Sequence, residues 1–572
     1  MERRTGRRKP PNLIYGVDET PPLLVTVLNG IQHVALIAIF LVYPLLVFRV
    51  AGLSIALSAN LLAIGMLVLG IGTLLQAQTR GPLGSGYMCP STFSAIYLGP
   101  SLLAVKTGGL PVLFGLTIFA GALEAVLSNL LERLRAIFPP ELSGLIIFMV
   151  GWGAGIAGLR TLLGANAVPL RSEEFWVSAA TLSVMVALNI WGTGLLRMLC
   201  ALAGLVVGYA AAAALGLLEG KQFAVVADAG WLGVPTFGHL SWSFDTAVAV
   251  PFAIAAVAVG MKAVGTIAIC QRMNDADWVR PDMRSARRGV MADGISTIVA
   301  GALGALGTNT STPSAGLSSA TGVGSRRVAY AAATIFILLG LTPKLAVLLA
   351  VMPRSVMIAA LLFAVSFIII NGLQVMTSRL LDARRTLVIG LSIVAGAAVE
   401  VFPQLGTSAP HAVAPLVGSS LAFSTVIALV LNLLFRIGIR KTVTLTIDRN
   451  DIAPQRVEKF FKSNGATWGA RPDVVSRATF AVIQLLDAVR ETCWRSGPIE
   501  ISATFDEFNL DVRAFYEGDA LEFPEARPSN REIVASENGA RLLAGFMLRR
   551  CADRLQAQHK DGRAGVLLHY DH

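Results

Sequence analysis

The sequence predicts an all-α polytopic membrane protein of fourteen segments, arranged as two inverted halves of seven, with an α+β domain at its C-terminal end. Three observations predict this. Of the 572 residues, 54% are hydrophobic and 15% charged, with a mean hydropathy of +0.65, which excludes an ordinary soluble globule. Apolar runs long enough to cross a hydrocarbon core of about 30 Å recur along residues 23–437. Two shorter runs each follow a stretch rich in Gly, Pro, Ser and Thr, and they fall third in each set of seven.

Taken in order, residues 1–22 form a basic segment (Arg3, Arg4, Arg7, Arg8, Lys9) that runs into a long helix without a small-residue cleavage site. No cleavable leader is expected. Long crossings are expected near 23–48, 52–76, 110–130, 140–158, 175–195, 198–218, 246–270, 290–306, 327–351, 354–373, 386–402 and 418–436. The short runs are 91–104, after "RGPLGSGYMCPST", and 314–324, after "GTNTSTPSAG". Irregular backbone at membrane depth persists only where protein or a polar cavity satisfies its amides. Matching interruptions in two halves therefore point to a solute site between them.

Orientation follows from the basic residues. With the N-terminus inside, the loops after even-numbered crossings hold Arg133 and Arg135, Arg197, Arg280–Arg288, Arg326 and Arg327, Arg379–Arg385 and Arg436–Lys441, whereas the opposite loops hold few. That asymmetry places both termini in the cytoplasm of a bacterial inner membrane. Residues 1–439 carry 28 Lys and Arg against 17 Asp and Glu, while the remainder carries 19 of each. The excess of +11 thus belongs to cytoplasmic loops and implies the lipid bilayer, not nucleic acid, as partner. Five scattered cysteines show no metal-ligand spacing.

Lys262 is the conspicuous residue. It is the only charge between Thr246 and Cys270, and Arg272 marks the end of the crossing, so it sits about 15 Å inside. A charge there costs about 2.5–3.5 kcal/mol on insertion scales and needs a partner or a wet cavity. Structural pairing would take Glu124, or Asp293, which lies nearer the cytoplasmic end of its run. Alternatively the ammonium anchors an anionic or acceptor-rich solute, or, deprotonated by burial, carries a coupled proton.

After Arg440 the pattern changes. "VTLTID" and "IEISATFDEF…LDVRAFYEG" alternate like strands, and "PDVVSRATFAVIQLLDAVRETC" has helical periodicity. "ARLLAGFMLRRCADRLQAQ" reads as a second amphipathic helix, followed by hairpin-like "DGRAGVLLHY". Residues 438–572 are expected to form a cytoplasmic domain.

"YGVDETPPLLVTVLNGIQHVALI", "RRGVMADGISTIVAGALGALGTNT", "PSAGLSSATGVGSRRVAYAAATIFILLGLTPKL" and "LDARRTLVIGLSIVAG" together resemble the nucleobase–ascorbate transporters (nucleobase–cation symporter-2 family), which include bacterial uracil and xanthine permeases. The resemblance spans roughly residues 14–437. It implies a core domain moving against a gate, a substrate held between the two short third-segment strands and the eighth segment, proton or sodium coupling, and a homodimer. It also implies secondary transport without enzymatic chemistry or cofactor.

The family's Gln-His pair falls on Gln32 and His33, where His33 packs the core or relays protons. Its signature falls on Pro313, Ser314, Ala315, Gly316, Thr321 and Gly322, with Ser314 replacing an asparagine. Lys262 stands where most relatives carry a glutamate that binds the base, and Thr266 where a histidine or aspartate often lies. An ammonium donates hydrogen bonds only, so the ordinary proton chemistry does not carry over. Phe93 matches an aromatic that stacks on substrate, though packing is an equal reading. Thr92 and Asn309 support the site, Asn309 with Thr310, Ser311 and Thr312 satisfying broken backbone. The resemblance favours a purine base such as xanthine or urate. Lys262 favours a small-anion carrier of the same architecture, and the tail allows a transporter-like sensor with a cytoplasmic protein partner.

That tail resembles the histidine-kinase-like ATPase domain of anti-sigma-factor kinases. Gln484, Ala488 and Tyr516 stand where active relatives place a glutamate, a magnesium-binding asparagine and an adenine-binding aspartate. The resemblance thus implies a degenerate, regulatory module that holds magnesium–ATP weakly or not at all.

Overall fold

The computed structural model describes residues 8–131, 139–162, 171–218, 220–278, 281–377, 381–402, 404, 417–435, 441–448, 453–468, 470–506, 509–528, 539–560 and 563–571. Arg133, Arg135, Arg280, Arg379, Arg436 and Arg440, on which part of the orientation rests, lie outside them. The chain divides into two units, Met1–Ser378 with Leu387–Val430, and Arg379–Thr386 with Leu431–His572.

The first unit is helical. Its long elements are α1 (Leu23–Val50, with one 3-10 turn inside), α2 (Ile55–Ala77), α3 (Leu98–Leu127), α4 (Pro140–Leu162), α5 (Ser172–Ile190), α6 (Cys200–Ala214), α7 (Thr246–Asn274) and α8 (Met283–Leu303). Then come α9 (Thr312–Thr321), α10 (Arg326–Gly340), α11 (Pro343–Ala350), α12 (Arg354–Met376), α13 (Ala383–Val401) and α14 (Ser420–Leu434). Two three-residue strands interrupt them, β1 (Ser91–Phe93) and β2 (Thr308–Thr310).

Among the described residues, five helices are long and apolar enough to cross a membrane: α1, α2, α7, α12 and the helical stretch Ala95–Leu130 that contains α3. The run 327–351, expected as one crossing, is instead two helices, α10 and α11, bent by 78°. The break runs from Gly340 to Pro343, and Pro343, which has no N–H to continue the first helix, opens the second. The stretch 98–127 is likewise broken. Gly108 and Gly109 leave helical geometry, Gly109 at φ 71°, so the short segment 98–107 and the following crossing meet at an angle no other residue type adopts cheaply.

Close helix approach explains the glycines elsewhere. A Cβ at Gly121 would lie 2.6 Å from the carbonyl oxygen of Gly294, and one at Gly301 2.7 Å from the amide of Ile118, so α3 and α8 pack backbone to backbone. Gly144 and Gly372 do the same for α4 and α12. Without a hydrophobic force between helices in lipid, such small-residue seams supply the dispersion contact that holds them.

The second unit holds β3 (Lys441–Ile447), α15 (Ala453–Trp468), α16 (Pro472–Thr492), β4 (Trp494–Phe505), β5 (Asn509–Gly518), α17 (Gly539–Cys551), β6 (Arg554–Lys560) and β7 (Arg563–Asp571). The sheet order is β3-β4-β5-β7-β6 with antiparallel neighbours. The alternation Leu510, Val512, Ala514, Tyr516 turns one face of β5 into a core with Val474, Ala478, Ala481 and Leu485 of α16. The helix expected through residue 558 ends at Cys551. "RLQAQHK" is strand β6 because its partner β7 supplies a full antiparallel ladder from Arg554–His569 to Lys560–Arg563. Tertiary pairing overrides its helical propensity.

Candidate functional site

The two interruptions meet. β1 and β2 pair antiparallel with Ser91 opposite Thr310, Thr92 opposite Asn309 and Phe93 opposite Thr308. The ladder extends at both ends, where Ser94 N–H donates to Gly307 O (3.1 Å) and Ser311 N–H to Pro90 O (2.9 Å). Two strands of three residues cannot stand alone, and neighbouring helices brace each of them. Thr73 of α2 accepts from Ser91 N–H at 3.0 Å. Thr297 of α8 accepts from Thr308 N–H at 3.2 Å and donates to its carbonyl at 3.1 Å. Ser296 accepts from the Thr308 hydroxyl at 2.9 Å.

Asp293 is the central brace. Its Oδ2 accepts from Thr310 N–H at 2.9 Å and its Oδ1 from Gln76 Nε2 at 2.7 Å; that amide also donates to Gly289 O. Asp293 is fully buried, the eleventh residue of α8, about 15 Å from the helix start. The apolar run expected from 290 is the later part of this helix. The helix begins seven residues earlier, at Met283, where Asp282 caps it by accepting from Arg284 N–H.

From each strand a helix departs by its N-terminus. Ser94 accepts from Ile96 N–H before the 3-10 turn that leads into α3, and Ser311 caps α9 by accepting from Ser314 N–H, both at 3.3 Å. Asn309 Nδ2 donates to Ser94 Oγ at 3.1 Å and so ties strand β2 to the start of the helical turn that follows β1. Helix N-termini carry partial positive charge.

α7 packs on β2 and α9. Thr266 and Thr312 share a hydroxyl hydrogen bond of 2.7 Å, and the Thr266 hydroxyl also lies 3.2 Å from Lys262 O. Thr266 has one proton; giving it to the Lys262 carbonyl makes Thr312 the donor to Thr266. Lys262 stands one turn before this contact and is partly exposed. Gly265 of α7, with Pro313 and Gly316 of α9, is exposed, and a Cβ at Gly265 or Gly316 would meet nothing within 4 Å. These exposed positions make an open strip on two neighbouring helices, and Lys262 lies within one turn of Gly265 on α7.

Asp293 is the acid that acts electrostatically on Lys262. Glu124 is fully buried, with its side chain near Gly260, and neither of its carboxylate oxygens has a hydrogen-bond partner. Phe93 is 2% exposed, its ring 2.8 Å from where a Cβ at Gly65 would sit, so here it packs on α2. His33 lies 3.5 Å from Ser318 Oγ of α9, a packing contact. Thr321 Oγ1 donates to Leu317 O at 3.0 Å, near the α9 C-terminus, and Gln32 Oε1 is buried without a partner. The buried hydroxyls of Thr92 and Ser314 and the carbonyl oxygen of Asn309 likewise lack partners. Gln76, Thr73 and Thr297 escape a reading of the sequence, since each acts through a contact with a separate element of the fold. No group of His, Cys, Asp and Glu among the described residues could hold a metal ion.

This arrangement places two broken segments among helices long and apolar enough to cross a membrane. The model of the Permease family (Xan_ur_permease) matches residues 24–405, and the chain belongs to that family. It is a multi-pass membrane transporter, not an enzyme. Its relatives include the xanthine permease XanP of Escherichia coli K12, 25% identical over 439 residues that cover 74% of this chain and 94% of that one. The uric acid permease PucJ of Bacillus subtilis is 27% identical over 430 residues, covering 73% and 93%. The transmembrane domain of a cyanobacterium bicarbonate transporter, BicA, is similar in structure with a TM-score of 0.48 and 13% identity, covering 73% of this chain and all of that domain.

Proposed function

We propose that this chain is a secondary active transporter of purine-type nucleobases such as xanthine or urate across the bacterial inner membrane. In this reading fourteen crossings form a core and a gate, both termini are cytoplasmic, and the protein works as a homodimer. The pairing of β1 with β2 beside Lys262 and Thr266 supports it most, together with the substrates named for XanP and PucJ. The base sits against the open strip of α7 and α9. Lys262 donates to an oxygen or anionic ring nitrogen, the N-termini of α9 and the turn before α3 add positive dipole ends, and the Ser314 hydroxyl and Thr92 offer further hydrogen bonds. Movement of the core against the gate then carries the loaded site across, coupled to a proton or sodium ion.

The test is uptake in a host lacking its own purine permeases. Labelled xanthine or urate should accumulate and be competed by each other but not by sulfate or bicarbonate; a protonophore or sodium removal then identifies the coupling ion. Competition by the inorganic anions alone would instead establish the second reading, a small-anion carrier, which the lysine in the site favours.

The C-terminal unit acts in this proposal as a cytoplasmic regulatory or partner-binding module. Tyr516, which the resemblance sets where active relatives place an adenine-binding aspartate, is buried, with its hydroxyl donating to Asp519 O at 3.1 Å, and a buried ring at that position supports the reading of a degenerate module. The full chain in detergent is expected not to bind a fluorescent ATP analogue at micromolar concentration. Saturable, magnesium-dependent binding would refute that assignment.

A further inference from the structure

A polar cavity of about 270 Å³, with none of the strand-pair residues in its lining, lies between the end of α1, the starts of α2 and α5, and the start of α12. Its volume is far above the roughly 15 Å³ that one water needs. Two guanidinium groups, Arg49 and Arg354, line it against a single carboxylate, Glu174. Arg49 is anchored there by donating to the carbonyl of Met352, two residues before α12 begins. That helix is 23 residues long, its N-cap is Pro353, and no side chain caps it, so its first-turn amides have no intrahelical acceptor. Ser355, in that first turn, lines the cavity, is 2% exposed, and its Oγ has no hydrogen-bond partner. Its carbonyl is already committed to the Ser178 hydroxyl at 2.9 Å, which fixes the turn in place.

Two arginines, an uncapped helix N-terminus and an unpartnered buried hydroxyl converge on one space. We propose that this cavity binds a tetrahedral oxyanion of the phosphate type, taken either as the free ion or as the headgroup phosphate of an anionic lipid. Arg49 belongs to α1 and Ser355 to α12, so the anion bridges those two helices and favours the arrangement in which they are held together. This site is independent of the nucleobase site and does not rest on its assignment.

The experiment is thermal unfolding of the purified full chain. In neutral detergent, inorganic phosphate at millimolar concentration should raise the midpoint by several degrees relative to chloride at equal ionic strength. In lipid nanodiscs, a stabilisation by phosphatidylglycerol over phosphatidylcholine that phosphate cannot add to would assign the site to a headgroup. Either effect should be lost in Arg354→Gln and weakened in Ser355→Ala. Glu174→Gln, which removes the opposing carboxylate, should lower the phosphate concentration needed by several-fold, an effect that loss of structure cannot mimic. No stabilisation from either source, or the same stabilisation in wild type, Arg354→Gln and Glu174→Gln, would overturn the proposal.

Discussion

Lys262→Met is expected to abolish uptake while the folded protein still reaches the membrane. Methionine keeps the length and apolar stem of lysine, and removing a charge from mid-membrane makes insertion of α7 easier. What disappears is the donor that the proposed site directs at the solute. A hydrogen bond involving a charged group contributes about 1.5–3 kcal/mol, so apparent affinity should fall roughly 10- to 100-fold. The loss of transport should be deeper, because the substituted site presents an apolar surface to polar ring edges. Size-exclusion of a fluorescent fusion separates this from misfolding. Should the variant be lost from the membrane and return when Glu124 is also changed to Leu, the lysine is a structural counter-ion and not a substrate anchor.

Asp293→Leu carries the second-largest expected effect, and it acts on fold and transport together. The aspartate holds Thr310 N–H and Gln76 Nε2. Leucine leaves the Thr310 amide without its acceptor, which costs about 1–3 kcal/mol at a buried site. Gln76 still has Gly289 O. The β1–β2 pairing should loosen, so both the thermal midpoint and uptake should drop. Gln76→Leu in the same background should add less than it costs alone, because the two residues share one network. An Asp293→Leu protein that melts and transports like the wild type would show that this brace is dispensable.

Why the strands are legible in the sequence and their supports are not follows from what each signal rests on. A Gly- and Pro-rich stretch interrupting an apolar run is a local feature, so "RGPLGSGYMCPST" and "GTNTSTPSAG" mark the two breaks directly. Asp293, Gln76, Thr73 and Thr297 matter through contacts separated by up to 217 positions, as between Gln76 and Asp293. Hydropathy sees each only as a polar residue within a helix and does not show which strand it meets. Phe93 shows the opposite failure. Its place in the broken stretch is legible, but the direction of its ring depends on Gly65, whose missing side chain opens the slot it fills. In the C-terminal unit, β6 reads as helix because its fate is decided by β7, which follows it. Lys262 is anomalous on sight of the sequence; its neighbours in space are not visible there.

The central claim is that Lys262 and the open strip of α7 and α9 face the transported solute. Its most direct measurement uses a chain whose native cysteines are replaced by alanine and which carries Gly265→Cys, where a side chain meets open space. N-ethylmaleimide should label this cysteine, xanthine or urate should slow the labelling several-fold, and adding Lys262→Met should remove that protection. Labelling that proceeds at one rate with and without solute, in a variant that still transports the same solute, would contradict the account.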